Sequence, residues 1–383
     1  MKKKIFIFTG SRADYGILKN LIKDFKKDKN IITKTIVGGS HFSKKFGFSF
    51  KEILSDKIKI DYKISIKILD TKEIDLVNFV SQSISKYGKI LKKDKPDYVI
   101  LLGDRFETFS FAIVCYFLNI KLIHIHGGEL TTGSFDDNIR HSISKLSNYH
   151  FVTHKTYKKR LIQMGENKKD IFNVGSLGVE NYLETIKDKK EHFLKKFKLP
   201  KDKKIALVTF HPETRGKFSY KDQIKIFLSS LHNVKKIFYI FTYNNMDTSG
   251  SFFIDQLEKF KKKNTNSRIY RSMGSNMYFN FLKNVDLVIG NSSSGIIEAP
   301  SAKTLTLNIG TRQDGRIFSK SIFKCDLNKQ QINNFLKKML NFKMKNFSNP
   351  LQGKRTREKM IKIIKNKIFY HKNNIKKFND IKF

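Results

Sequence analysis

Short apolar runs alternate along this chain with longer amphipathic stretches rich in Lys. Brief apolar runs that end in turn residues read as buried strands, and the longer stretches between them as helices. The pattern therefore predicts βα units and mostly parallel sheets. In the first half the predicted strands are Ile5 to Phe8, Thr35 to Val37, Tyr98 to Leu102, Leu122 to Ile125, His150 to Val152 and Ile171 to Val174. In the second half they are Ile205 to Phe210, Ile237 to Phe241, Ile269 to Tyr270, Leu287 to Ile289 and Leu305 to Leu307. Two groups of strands predict two sheets: two doubly wound α/β domains. A length of 383 residues suits two such cores. The expected boundaries are 1–180 and 181–352. A charged helical stretch ending at Leu199-Pro200 opens the second domain, and the basic tail 353–383 reads as a helix returning to the first.

Composition changes this picture little. Hydrophobic residues make up 39% of the chain, with 35 Phe to fill the cores. No uninterrupted apolar run approaches the ~18 residues that span a bilayer, so a soluble protein with no membrane partner is expected. Met1-Lys2-Lys3-Lys4 could open a signal peptide, but Ile5 to Phe8 gives way at once to Thr9-Gly10-Ser11-Arg12, which reads as a first strand and its turn. Cys115 and Cys325 lie in different halves without metal-ligand spacing, which predicts a reducing, cytoplasmic setting. The formal charge of +42 invites a nucleic-acid reading. The excess is nearly all Lys, however, spread along the whole chain beside abundant Ile, Asn and Phe. It reads as solvated helix faces, with attraction of an anionic substrate as a secondary benefit and no nucleic-acid partner.

In open α/β sheets, ligands bind at the carboxyl ends of the strands, so the residues following each strand are the place to look. After the first strand, Gly10-Ser11-Arg12-Ala13-Asp14-Tyr15-Gly16 is a turn opening a helix, where backbone N–H groups and Arg12 can hold phosphate. Lys95-Pro96-Asp97 enters a strand that ends in Gly103-Asp104-Arg105, a carboxylate beside a guanidinium. His124-Ile125-His126-Gly127-Gly128-Glu129 follows; His124, inside its strand, reads as the core residue of the two His. Asp136-Asp137 open a helix with Arg140 and His141 one turn on, and one Asp is expected to cap while the other meets substrate. The His and carboxylates match neither a helical zinc motif nor a calcium loop, so no metal is expected.

The second half offers Phe210-His211-Pro212-Glu213, Thr242-Tyr243-Asn244-Asn245 and Gly290-Asn291-Ser292-Ser293-Ser294-Gly295, with Glu298 one turn on. Hydroxyls and glycines at a helix N-terminus predict a phosphate cradle, with Glu298 able to reach ribose hydroxyls. Gly310-Thr311-Arg312-Gln313 adds Arg312 to the same region.

Taken in order from the first strand to about residue 316, these motifs resemble the hydrolysing UDP-N-acetylglucosamine 2-epimerases of sialic-acid-type sugar synthesis. The resemblance implies the GT-B fold, two Rossmann-like domains with the active site in the interdomain cleft, and a reaction without metal or cofactor. In that reaction a glycal forms as the nucleotide leaves, and water then yields N-acetylmannosamine and UDP. By position it implies catalytic roles for Asp104, His126, Glu129, Asp136 and His211. It implies nucleotide binding by Arg12, Gly16, Arg105, His211, Asn245, Ser292, Ser293, Glu298 and Arg312. A nucleotide-sugar substrate and a homo-oligomer, dimer or tetramer, are the implied partners. One departure stands out: where the sialic-acid enzymes read His-Ile-Glu-Gly-Gly-Glu, this chain has His126 in place of the first Glu. An imidazole can still shuttle a proton. It can equally mark relatives acting on UDP- or GDP-linked N,N'-diacetylbacillosamine for legionaminic acid. A glycosyltransferase of the same architecture is the competing enzyme class.

Overall fold

A computed structural model describes residues 2–43, 48–66, 73–232, 234–243, 250–371 and 376–380. The chain divides into two units, one of Met1–Glu129, Asp136–Asn181 and Leu351–Phe383, the other of Leu130–Phe135 and Tyr182–Pro350.

The sheet of the first unit contains β1 (Lys3–Thr9), β2 (Ile31–Val37), β3 (Tyr62–Lys63), β4 (Tyr98–Leu102), β5 (Lys121–Ile125), β6 (Tyr149–Val152) and β7 (Ile171–Asn173). Their order is β3-β2-β1-β4-β5-β6-β7, and every pairing is parallel. All of the strands predicted here are present. The one that escaped prediction, β3, has two residues at the sheet edge, too few to show a period. The order reverses between β1 and β4, so the loops leaving these two strands flank the switch point where such sheets bind ligands. The core gathers Ile5, Ile7, Ile100 and Ile123 from the sheet with Leu18 and Ile22 of the Arg12–Lys27 helix. Met360 and Ile364, from the helix Thr356–Asn366, join the same core, and the Tyr98 hydroxyl donates to the Ile368 carbonyl.

The sheet of the second unit holds β8 (Lys204–Thr209), β9 (Ile237–Thr242), β10 (Ser267–Tyr270), β11 (Leu287–Gly290), β12 (Leu305–Ile309) and β13 (Ile322–Cys325), in the order β10-β9-β8-β11-β12-β13, again all parallel. Alternate residues of one strand enter different cores. Ala206 and Val208 pack with Tyr239 and Ile289 on one face, Ile205 and Leu207 with Ile240 and Val288 on the other. Burial on both faces explains why these strands read as continuous apolar runs. Here the switch point falls between β8 and β11.

The segment Leu130–Phe135, which the sequence places inside the first domain, groups with the second unit. Its backbone is tied there: Thr132 N–H donates to the Asp314 carbonyl at 3.2 Å, Phe135 N–H to Thr214 Oγ1 at 2.9 Å, and the Gly133 carbonyl accepts from Arg215 N–H at 3.3 Å.

Candidate active site

In the first unit the loops after β1, β4 and β5 and the start of the helix Asp136–Leu146 carry the predicted groups. Ser11 caps the Arg12–Lys27 helix, and Asp14 closes the capping box by accepting from Gly10 N–H at 2.8 Å and Ser11 N–H at 2.8 Å. This frame fixes Arg12 at the first helical position. Gly16 lies one turn inside the helix, its carbonyl accepting from the Asn181 side-chain amide at 3.0 Å.

Asp104 emerges from β4 and forms an ion pair with Arg140. Arg140 is the bulkiest fully buried side chain among the described residues. It also lies 3.6 Å from Asp137 and donates to the Glu129 carbonyl at 3.0 Å. One buried guanidinium thus braces the ends of two strands and the helix that follows. The sequence offered a weak signal for it, since Asp137 and Arg140 are three apart on one helix face. In a chain so rich in cations, a mid-helix Arg resembles surface. Asp137 is buried and turned toward Arg140 and His141, while Asp136 is half-buried at the first helical position.

His126 adopts φ +68°, a left-handed conformation costing about 1–2 kcal/mol in a residue with a Cβ. Its N–H donates to the Phe151 carbonyl, and Nδ1 stands 3.4 Å from Glu129 Oε1. Glu129 is itself buried and accepts from the Thr153 hydroxyl at 3.1 Å. A carboxylate on Nδ1 selects the tautomer with its proton there, leaving Nε2 as the basic nitrogen. Glu129 is therefore placed behind His126.

His124 is fully buried, with Nε2 on the Gly103 carbonyl at 2.7 Å and Nδ1 on Ser144 Oγ at 3.1 Å. Burial pushes its pKa down to about 3, and His41, between Thr9 and Ser49, down to about 4. Burial lowers that of His150 also. These imidazoles are neutral parts of the core. Because each folded-state pKa lies below the unfolded value of ~6.5, their contribution is complete above that pH and is lost as pH falls toward 4. Tm should accordingly decline steadily from pH 6.5 to 4 in a thermal-denaturation series; a flat profile would contradict these assignments.

In the second unit, Asn291 after β11 and His211 after β8 are locked reciprocally across the switch point. His211 N–H donates to Asn291 Oδ1 at 2.7 Å, and Asn291 Nδ2 to the His211 carbonyl at 2.8 Å. The Asn291 carbonyl accepts from Arg312 at 3.1 Å and Gln313 at 2.8 Å, so Arg312 is anchored to the same turn. Buried Glu213 accepts from Thr311 N–H at 2.5 Å and Arg312 N–H at 3.0 Å. Gly310 has φ +83°, and a Cβ there would meet Glu213 Oε1 at 2.2 Å, so this close approach requires glycine.

Ser292 and Ser293 are half-buried where β11 ends. The single helix expected after them is two short ones, Ser294–Ile297 and Ala299–Ala302. Pro300 accounts for the break, having no N–H to offer the carbonyl four residues back. Glu298 occupies the junction and is buried. Asn245 lies outside the described residues. Among those described, no group of three or more His, Cys, Asp or Glu could hold a metal ion, and no helix is long and apolar enough to cross a membrane.

Comparisons with known proteins bear on the family and the fold. The model of the family UDP-N-acetylglucosamine 2-epimerase matches residues 23–365. A Campylobacter jejuni GDP/UDP-N,N'-diacetylbacillosamine 2-epimerase (hydrolyzing) is 39% identical over 333 residues, covering 85% of each chain. The Escherichia coli polysialic acid biosynthesis protein P7 is 39% identical over 332 residues, covering 86% of this chain and 84% of its own. In structure, the S. aureus MnaA–UDP co-structure aligns with a TM-score of 0.80 at 18% identity, over 99% of this chain and 100% of that one, and so shares the fold. With two parallel-sheet α/β units, a match along nearly its whole length and relatives of this identity, the chain belongs to the UDP-N-acetylglucosamine 2-epimerase family and is a hydrolysing nucleotide-sugar 2-epimerase.

Proposed function

We propose that the enzyme converts UDP-N-acetylglucosamine and water to N-acetylmannosamine and UDP, for sialic-acid-type sugar synthesis. The observation that carries this reading is the set of acid/base groups at neighbouring strand ends: Asp104 held by buried Arg140, His126 backed by Glu129, and Asp136 opening the next helix. A base removes the proton from carbon 2; the C–H electron pair becomes the C1–C2 double bond as the C1–O bond breaks and UDP departs. Water then adds its oxygen to carbon 1 while carbon 2 is protonated on the opposite face. The first step needs a placed base, and the departing diphosphate needs fixed positive groups and dipoles. Asp104, His126 and Asp136 serve the proton transfers. Nucleotide binding is assigned to Arg12, Gly16 and Arg105 of the first unit and to His211, Asn245, Ser292, Ser293, Glu298 and Arg312 of the second.

His126 supports a second reading, the same reaction on UDP- or GDP-linked N,N'-diacetylbacillosamine, the substrate named for the C. jejuni relative. We also place the enzyme in the cytoplasm, in keeping with its buried free Cys115 and Cys325. We assign it a homo-oligomeric state, in keeping with the exposed Tyr116 and Phe117 beside the apolar groove lined by Phe109 and Ile113.

The test follows the sugar released in deuterated water by NMR, from UDP-N-acetylglucosamine and from UDP- and GDP-diacetylbacillosamine. The expected product is a free sugar inverted at carbon 2, carrying one solvent deuterium there. Retention of the original carbon-2 proton would rule the mechanism out in favour of a transferase, and the preferred substrate separates the two sugars.

A further inference from the structure

Glu107, in the first turn of the helix Phe106–Phe117, has no part in the proton transfers above, yet none of its surface is exposed. Its Oε2 accepts from Arg105 Nε at 3.2 Å. Its Oε1 is buried and has no hydrogen-bond partner among the described residues. A Cβ on Gly10 would stand 3.0 Å from Glu107 Cβ, and one on Gly39 3.0 Å from Glu107 Cγ. The side chain therefore lies directly under the turn that presents Arg12 while gripping Arg105, the residues following β1 and β4 on either side of the switch point. The Arg105 guanidinium is further steered by the Phe106 ring, 5.3 Å from its centroid.

We infer that Glu107 is a positioning residue for Arg105, aiming its guanidinium at the diphosphate of the substrate and taking up a proton when that anion binds. The inference rests on the nucleotide-sugar reading above. Burial pushes the Glu107 carboxyl up to about 7 against the pull of Arg105, and Asp14 on the Arg12–Lys27 helix adds to the rise. The other titratable group facing it, Tyr87 on the helix Glu73–Lys93, is itself raised by burial and stays neutral. A bound diphosphate brings negative charge to Arg105 and so disfavours the Glu107 carboxylate, which is equivalent to saying that the anion binds better to the protonated form. Below pH ~7 the carboxyl is neutral and the guanidinium charge is fully available to substrate. Above it, the buried carboxylate competes for the same guanidinium.

The experiment measures KM and kcat separately from pH 6 to 8.5, with whichever nucleotide sugar the enzyme turns over, in the wild type, Glu107→Gln and Glu107→Ala. In the wild type KM should climb on the order of tenfold across this range. In E107Q it should stay flat and near the low-pH value. In E107A, which cannot aim Arg105, it should be elevated at every pH. A flat wild-type KM, or an E107Q profile that climbs like the wild type, overturns the inference. Should E107Q not fold, Glu107→Asp keeps a carboxyl and must keep a rising KM; a flat profile in a folded E107D has the same overturning force. If the chain binds nucleotide sugar without turnover, the same profile read as Kd tests Glu107 while the reaction reading alone fails.

Discussion

Asp104→Asn should lower turnover about a thousandfold, within the range for loss of a placed acid or base, while UDP affinity changes by no more than a few-fold. The structure gives the substitution a clear meaning. Asn keeps the size of Asp and can still accept from Arg140, so the guanidinium retains an oxygen at that strand end together with its contacts to Asp137 and the Glu129 carbonyl. What disappears is the charge and the capacity to carry a proton. The groups assigned to the nucleotide end in the second unit, among them His211 and Arg312, are fixed by Asn291 and Glu213 and do not depend on Asp104. The comparison is between single-turnover rates with UDP-N-acetylglucosamine and UDP titrations by calorimetry. Turnover within tenfold of the wild type would remove Asp104 from the chemistry. A parallel loss of UDP binding would instead point to a collapsed loop.

Much of the fold was legible because buried parallel strands leave an unambiguous trace: short apolar runs, each giving way to glycine or a polar residue. Every strand predicted is present, and those not foreseen, β3 and β13, have two and four residues. The candidate site residues stood out for a related reason, since polar groups just past a buried strand sit where a doubly wound sheet binds ligands. What stayed hidden was the layer behind them. Arg140 lies in an amphipathic helix and Glu107 at the start of a mostly apolar one, and in a chain of 76 Lys and Arg the spacing of Asp137 and Arg140 is too weak a signal to separate a buried arginine from a solvated one. The distinction exists only once β4 and β5 bring Asp104 and the Glu129 carbonyl against the same helix. The grouping of Leu130–Phe135 with the second unit was equally invisible, because it depends on backbone hydrogen bonds to Asp314, Thr214 and Arg215 rather than on side-chain pattern. The break at Pro300, by contrast, was readable, and the serine-rich turn before it drew attention away.

Arg140→Met should be the most destabilising single substitution near the site, at about 3–5 kcal/mol. Replacing a whole buried ion pair by apolar groups can be neutral, but removing one partner strands the other. Here a single guanidinium serves Asp104, Asp137 and the Glu129 carbonyl, so its loss leaves two carboxylates close together and one carbonyl without its donor. Over a unit of this size the loss corresponds to a drop in Tm on the order of 10 °C. Turnover should fall with it, because Asp104 loses the group that fixes its carboxylate and the helix bearing Asp136 loses its tie to the β5 loop. Arg140→Lys separates charge from geometry. Lys keeps the positive charge but not the planar fork that reaches several acceptors at once, so stability should recover in part while turnover stays low. The pair of variants is read by thermal denaturation together with kcat at a temperature where both remain folded. An R140M protein as stable as the wild type would mean that the buried arginine does not hold these acids. Full activity in R140K would mean that its charge alone suffices.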